Sequence, residues 1–181
     1  ATLTAYCAES ATVDVQDSVN LIDTLPSYGL SLTVNPATLA AYTVSTTSPQ
    51  TAGIGWSETV QAVDAYGNVI TTDSSTIDVA SSTGNVVFYT DGNYSTTTTS
   101  YTLTNGTVTI YPLDSQVEDT VLQVSNSSNP SIAGSSGTIT VQNAPPVLHD
   151  GTTDDTLALP AQYTDGSGKV TITFRIRDTS A

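Results

Sequence analysis

Residues 58–80 read E-T-V-Q-A-V-D-A-Y-G-N-V-I-T-T-D-S-S-T-I-D-V-A. Val60 and Ala62 stand two apart, which puts both on one face of an extended chain. Asp64-Ala65-Tyr66-Gly67-Asn68 then breaks the alternation. Gly67 takes a positive φ without steric cost, and Asp64 and Asn68 carry side chains that bond their own backbone, so a tight polar turn is expected. Val69-Ile70 predicts a second short strand, and Ile77 and Val79 a third. This stretch asks for a second apolar face to cover it, and the rest of the chain supplies the strands.

The composition agrees. Among 181 residues there is no Met, and Lys and Arg together number three. Thr, Val, Tyr and Ile, which suit pleated and half-buried strands, are frequent, and strong helix formers are scarce. No window of eleven or more residues carries a helical stripe. The expected class is all-β.

Charge is lopsided. Seventeen acids face three bases, for a formal net charge of −14. The bases are Lys169, Arg175 and Arg177, so residues 1–168 contain no Lys or Arg. Such a body repels nucleic acid and anionic membrane, and suits an extracellular or high-salt setting that screens its acids. No apolar run is long enough for a transmembrane helix. Cys7 is the sole cysteine, which excludes an internal disulfide and leaves a free thiol, an intermolecular link or a modification site. A chain beginning at Ala1 without a basic-then-apolar leader is expected to be a processed protein or a fragment.

The chain falls into four parts. Residues 1–37 form an extended lead, with alternation at Val13 and Val15, a turn at Pro26-Ser27-Tyr28-Gly29, and alternation again at Leu30, Leu32 and Val34. It is too short for a core of its own. Residues 38–143 hold the densest strands: around Tyr42-Val44, residues 56–63, Ile77-Val79, residues 86–89, Tyr101-Leu103, Val108-Ile110, residues 121–124 and residues 139–141. Asn105-Gly106 between alternating runs is the strongest hairpin signal. Eight or so short strands with turns every eight to twelve residues predict an Ig-like antiparallel β-sandwich with extended N- and C-terminal strand segments. Val60, Ala62, Val108, Ile110, Leu122, Val124, Ile139 and Val141 are its expected core. Residues 144–168 form an acidic Pro/Gly linker. Residues 169–181 begin with a flawless strand, K-V-T-I-T-F-R-I-R-D.

Two motifs resemble a known family. A-V-D-A-Y-G-N at 62–68 and N-S-S-N-P-S-I-A-G-S-S-G-T-I-T-V at 126–141 resemble the invasin/intimin-type bacterial immunoglobulin-like surface repeats, over about residues 38–143. The resemblance implies a sandwich used as a spacer or building block on the cell surface, with no chemistry of its own. One residue departs from it: Glu58 occupies a phase where the family has an apolar side chain. Because a buried, unpaired carboxylate is costly, Glu58 is expected at a wet end of the sandwich rather than buried beside a partner.

Candidate sites follow from the residues. No nucleophile stands in an elbow motif, and His149, the only His, lies in the linker, so the chain is read as non-enzymatic. Asp150, Asp154, Asp155 and Asp165 sit in a Gly-containing loop whose carboxylates suit Ca²⁺, without the spacing of an EF-hand; a solvated acidic linker is the alternative, and no other cofactor is expected. Asn93, Asn105 and Asn126 each open an N-glycan acceptor triplet. Trp56, Phe88 and the tyrosines are expected to pack in strand phase rather than to form a sugar platform. In the terminal strand, Val170, Ile172, Phe174 and Ile176 share one face, and Lys169, Arg175 and Arg177 lie on the other. These seven are the candidate assembly strand. A strand with one apolar face and open edges needs a partner. The expected role is therefore an extracellular structural subunit or stalk repeat that pairs with its own kind by strand addition, in competition with a further tandem domain. The alternative function is an adhesin-type module for glycan or protein.

Overall fold

A computed structural model describes residues 2–13, 16–17, 22–23 and 29–144. The linker and the terminal strand, and with them the acids at 150, 154, 155 and 165, lie outside the described residues.

All regular structure described is β. The lead contains β1 (Ser10–Val13), β2 (Gln16–Asp17), β3 (Ile22–Asp23) and β4 (Leu30–Thr33); β1 pairs antiparallel with β4, and β2 with β3. The body follows with β5 (Ala41–Val44), β6 (Gln50–Thr51), β7 (Glu58–Val63), β8 (Thr76–Ser81), β9 (Val87–Tyr89), β10 (Ser100–Thr102), β11 (Thr107–Leu113), β12 (Glu118–Thr120), β13 (Leu122–Asn126), β14 (Ala133–Ser135) and β15 (Ile139–Gln142). One sheet runs β5-β7-β11-β9, and the other β10-β8-β13-β14. Past a break at Val121 and at residues 136–138, the β13–β14 hairpin resumes as β12–β15, and β6 joins the far side of β15. The result is the β-sandwich that the alternation requires.

Alternation does the sorting. Along β7, Val60 and Ala62 are fully buried and Thr59 is exposed; along β13, Leu122 and Val124 are buried and Gln123 is exposed. The inward faces meet in one cluster that includes Val60 and Ile110 from one sheet, Ile77, Leu122 and Val124 from the other, and Ile139 and Val141 from β15. Each fully buried aliphatic side chain contributes about 1.5–3 kcal/mol. Trp56, Phe88, Tyr42 and Tyr101 lie in the same cluster, as packing in strand phase predicts.

One departure from a purely antiparallel sandwich concerns β6. It runs parallel to β15, with Val141 opposite Gln50. The chain leaves β5 in one sheet, turns at a cis Ser48–Pro49 bond and enters β6 beside the other hairpin. β6 therefore lies alongside β15 and points the same way.

Three local expectations need correction. Val69-Ile70 makes no strand: it is held by a single bridge, Val63 to Val69, and by the Ile70 amide donating to the Ala62 carbonyl at 2.9 Å. Asn105-Gly106 does form a two-residue turn with both φ values positive, 53° and 74°, closed by Thr104 and Thr107. The strands it joins do not pair as a hairpin, however; β10 goes to β8 and β11 to β7. Gly106 explains part of this. Its amide donates to the Asp73 carbonyl and its own carbonyl accepts from Ala62, both at 2.9 Å, and a Cβ there would run into the Ile70 carbonyl. The turn is wedged between two other segments, so its arms are drawn apart. Val108, the third correction, is only half-buried against the core, whereas the other seven expected core residues are buried.

A polar chain of bonds also crosses the interior. The Asn126 amide donates to the Tyr42 hydroxyl at 2.8 Å, Tyr42 lies 2.8 Å from the Ser75 hydroxyl, and Ser75 donates to Asp73 Oδ1 at 2.6 Å. Read from the amide end, each hydroxyl accepts one bond and donates the next, so the chain is fully satisfied.

These facts set two expected outcomes for denaturant unfolding. Ile110→Asp places a charge in the sealed core and should cost about 3–5 kcal/mol, whereas Val108→Asp should cost about 1–2 kcal/mol. Tyr42→Phe leaves the buried Asn126 amide without its acceptor and should cost about 1–3 kcal/mol. Equal losses at 108 and 110 would contradict this register.

Candidate functional site

The turn at residues 64–68 proves to be more than a turn. Asp64 is buried at the end of β7. Its Oδ1 accepts the amides of Tyr66 and Asn68, both at 2.9 Å, which closes the loop locally. Its Oδ2 accepts the Asn68 side-chain amide at 2.9 Å and, from 27 residues upstream, the Ala37 main-chain amide at 2.9 Å. Asn68 then reaches the lead. Its Oδ1 accepts from the Ala8 amide at 2.9 Å, and its Nδ2 donates to the Tyr6 carbonyl at 2.8 Å. The Tyr6 and Tyr66 rings meet at a tilt of 48°, with centroids 4.8 Å apart. The two side chains thus clamp the backbone of residues 6–8 and of residue 37 to one end of β7. Cys7, between the two clamped residues, has an exposed free thiol.

The electrostatics follow from the donors. The Asn68 side chain foremost, aided by the Ala37, Asn68 and Tyr66 amides, holds the Asp64 carboxyl at a pKa of about 2, against an ordinary 3.8, with burial opposing them. Four N–H groups favour the ionised form, and no cationic side chain takes part.

Glu58 answers the question its phase raised, and overturns the expectation of a wet end. It is buried, and it is partnered: Oε2 accepts the Ser45 hydroxyl and Oε1 the Thr47 amide at 2.7 Å. Ser45 in turn accepts the Thr59 amide at 2.7 Å. The carboxylate therefore ties the end of β5 and the residues after it to the first residues of β7.

The other expected site residues are placed as follows. Asn93 is exposed in a turn, its amide donating to Asp91 Oδ1 at 2.9 Å, and Asn105 is exposed at the Asn-Gly turn. Asn126 is buried; its Nδ2 holds Tyr42 and its Oδ1 accepts the Ser128 and Asn129 amides, so a glycan there would have to displace the bond to Tyr42. Lys169, Val170, Ile172, Phe174, Arg175, Ile176 and Arg177 lie outside the described residues, as do the four linker acids. Among the described residues, no three His, Cys, Asp or Glu side chains gather as a metal cluster, and no helix is long and apolar enough to cross a membrane. Sequence reading missed the clamp. Its signal was present in Asp64 and Asn68, which together offer more bonding capacity than a five-residue turn can absorb.

Neither a protein-family profile nor a characterised protein matches this sequence. Parts of several solved structures are similar to this chain at low identity. A glycosyl hydrolase family 2 member from Bacteroides cellulosilyticus is 12% identical over 64% of this chain and 16% of its own, with a TM-score of 0.46. A β-glucuronidase from Parabacteroides merdae is 16% identical over 71% of this chain and 15% of its own, with a TM-score of 0.46. Domains 1–6 of the surface layer protein SbsC are 18% identical over 91% of this chain and 20% of theirs, with a TM-score of 0.42. The chain thus spans about a sixth of the length of the hydrolases it matches.

The clamp makes a pH-dependent contribution with a defined sign. Because the folded pKa of Asp64 lies below its unfolded value, its stabilisation is complete above about pH 4 and is lost as pH falls toward about 2. In Asp64→Ala that stretch of the acid unfolding curve should flatten. Hydrogen exchange gives the second readout: the amides of Ala37, Tyr66 and Asn68 should lose protection in Asp64→Ala, and that of Ala8 in Asn68→Ala. Unchanged protection at Ala8 and Ala37 would show that the clamp does not hold in solution.

Proposed function

We propose that this chain is a non-enzymatic, extracellular structural unit, a subunit of a surface fibre or a repeat of a stalk, joined head-to-tail to its neighbours. The observation that carries this reading is the clamp. A buried carboxylate and its partner amide hold the backbone of the preceding segment, at residues 6–8 and 37, against the sandwich. Such a site transmits position and load along a chain. Its residues belong to the A-V-D-A-Y-G-N motif on which the resemblance to invasin/intimin-type repeats rests, and that resemblance supports a cell-surface location.

The C-terminal segment extends the reading to assembly. Val170, Ile172, Phe174 and Ile176 would gain about 1.5–3 kcal/mol each on burial. The opposite face collects every Lys and Arg of the chain, while any neighbouring copy offers a body with neither. A basic strand that meets an acidic body is a heterologous contact, and heterologous contacts that do not close make filaments. In this reading residues 169–178 add as a strand to a sheet of the next subunit.

Deletion of residues 168–181 from the native protein should abolish or shorten fibres seen by negative-stain microscopy while leaving the thermal transition of the sandwich in place. Fibres of normal length and stability after the deletion would refute C-terminal strand addition. An adhesin-type reading is favoured by one observation, the Tyr6–Tyr66 pair, in which both residues are more than half exposed. Under it, Tyr66→Ser should abolish binding to a glycan array and leave assembly untouched.

A further inference from the structure

A second pair of acids sits where β11 gives way to β12. Asp114, directly after β11, is fully buried, and its Oδ1 is engaged by the Gln116 amide at 2.8 Å. Its main-chain carbonyl accepts the Gly53 amide at 2.7 Å. Its Oδ2 is sealed from solvent and meets no donor. Glu118, the first residue of β12, repeats the pattern. Its Oε2 accepts the Asn85 side-chain amide at 3.0 Å, and its Oε1 is sealed and unpartnered. The two carboxyls lie against each other, with the Thr83 hydroxyl beside Glu118. The two can hydrogen-bond to each other only when one of them holds a proton; with both ionised, Asp114 Oδ2 and Glu118 Oε1 are left without a donor.

That arrangement needs positive charge. Lys and Arg are absent from residues 1–168 and the one His is at 149, so no side chain of the described body can supply it. A single shared proton would cancel one of the two charges; a divalent ion would cancel both. Neutral oxygens stand ready beside them: the Thr83 hydroxyl, and the Asn85 carboxamide, which presents its oxygen in place of its nitrogen by a half-turn of its end group.

We propose that Asp114 and Glu118 are ligands of a divalent cation of the calcium type, held between the loop at 82–86 and the loop at 114–117, with Thr83 and Asn85 as neutral oxygen donors. Calcium accepts six to eight oxygens in irregular geometry, which suits donors from two loops, whereas magnesium demands a near-ideal octahedron. Two carboxylates with no third acidic ligand, the balance made up by water, place the affinity at about 10⁻⁴–10⁻³ M, the range of extracellular modules. An ion here would join the turn after β8 to the turn after β11, and through the Asp114 carbonyl it would steady Gly53, just past β6.

The test uses the full chain, stripped of metal, at pH 7 and constant ionic strength. Calcium is titrated while the amide resonances of Gly53 and Gln116 and the melting temperature are followed. Both resonances should move along one saturable curve, with melting temperature rising in step. Glu118→Gln should abolish both responses. The proposal fails if those two amides stay still while others move, which would mean that calcium binds acids elsewhere, such as those at 150–165. It fails too if Glu118→Gln responds like the native chain. It also fails if calcium has no effect while acidification from pH 7 to 5 stabilises the native chain, and Glu118→Gln is already stabilised at pH 7, because a shared proton then holds the pair. Should Glu118→Gln not fold, the native titration at Gly53 and Gln116 decides alone.

Discussion

No lysine or arginine precedes residue 169, and this constraint governs how the interior is built. Within residues 1–168 no cationic side chain is at hand to neutralise a buried carboxylate, and at Asp64 and Glu58 N–H and O–H donors surround it instead. Asp64 gathers two local amides, one distant amide and one carboxamide. Glu58 takes a hydroxyl and an amide. In both cases at least one donor comes from another segment, so satisfying the charge also positions the chain. Acids that would be liabilities in a mixed-charge core here serve as junctions: Glu58 between β5 and β7, Asp64 between the lead and the body.

The sandwich was legible in the sequence because period-two alternation reports which face of a strand is inward, and inward residues such as Val60, Ile110, Leu122 and Ile139 obey it. Which sheet a strand joins is a different matter. Asn105-Gly106 carries full hairpin chemistry, and its turn does form, yet its arms enter opposite sheets. Turn chemistry acts over four residues, and the contacts of Gly106 with Ala62 and Asp73 come from more than thirty residues away. Val108 fails for a similar reason, since alternation gives its direction and not how well that end of the sheet is covered.

Polar residues were the least readable. Glu58 stood out as a break in phase, but its partners Ser45 and Thr47 are ordinary members of a Ser/Thr-rich chain, with nothing to mark them. The D-A-Y-G-N stretch was recognisable as a turn, and its local bonds follow from known Asx behaviour. Its outward bonds to residues 6–8 and 37 depend on the path of the lead, which no local pattern encodes. Asn126 shows the converse. Its triplet advertises a modification, whereas its side chain is committed to Tyr42.

The parallel pairing of β6 with β15 has a mechanical consequence. β6 lies near the beginning of the sandwich and β15 at its end, and the two point the same way. Tension applied through the two ends of the body therefore draws these strands in opposite directions along their length. Their cross-links, which include Ala52 to Gln142 at 2.8 Å and Thr140 to the Ser48 hydroxyl at 3.0 Å, are loaded side by side and must yield together. An antiparallel pair at the same place would open like a zipper, one bond at a time. A body whose first and last strands are cross-linked in shear resists such tension better than one that unzips.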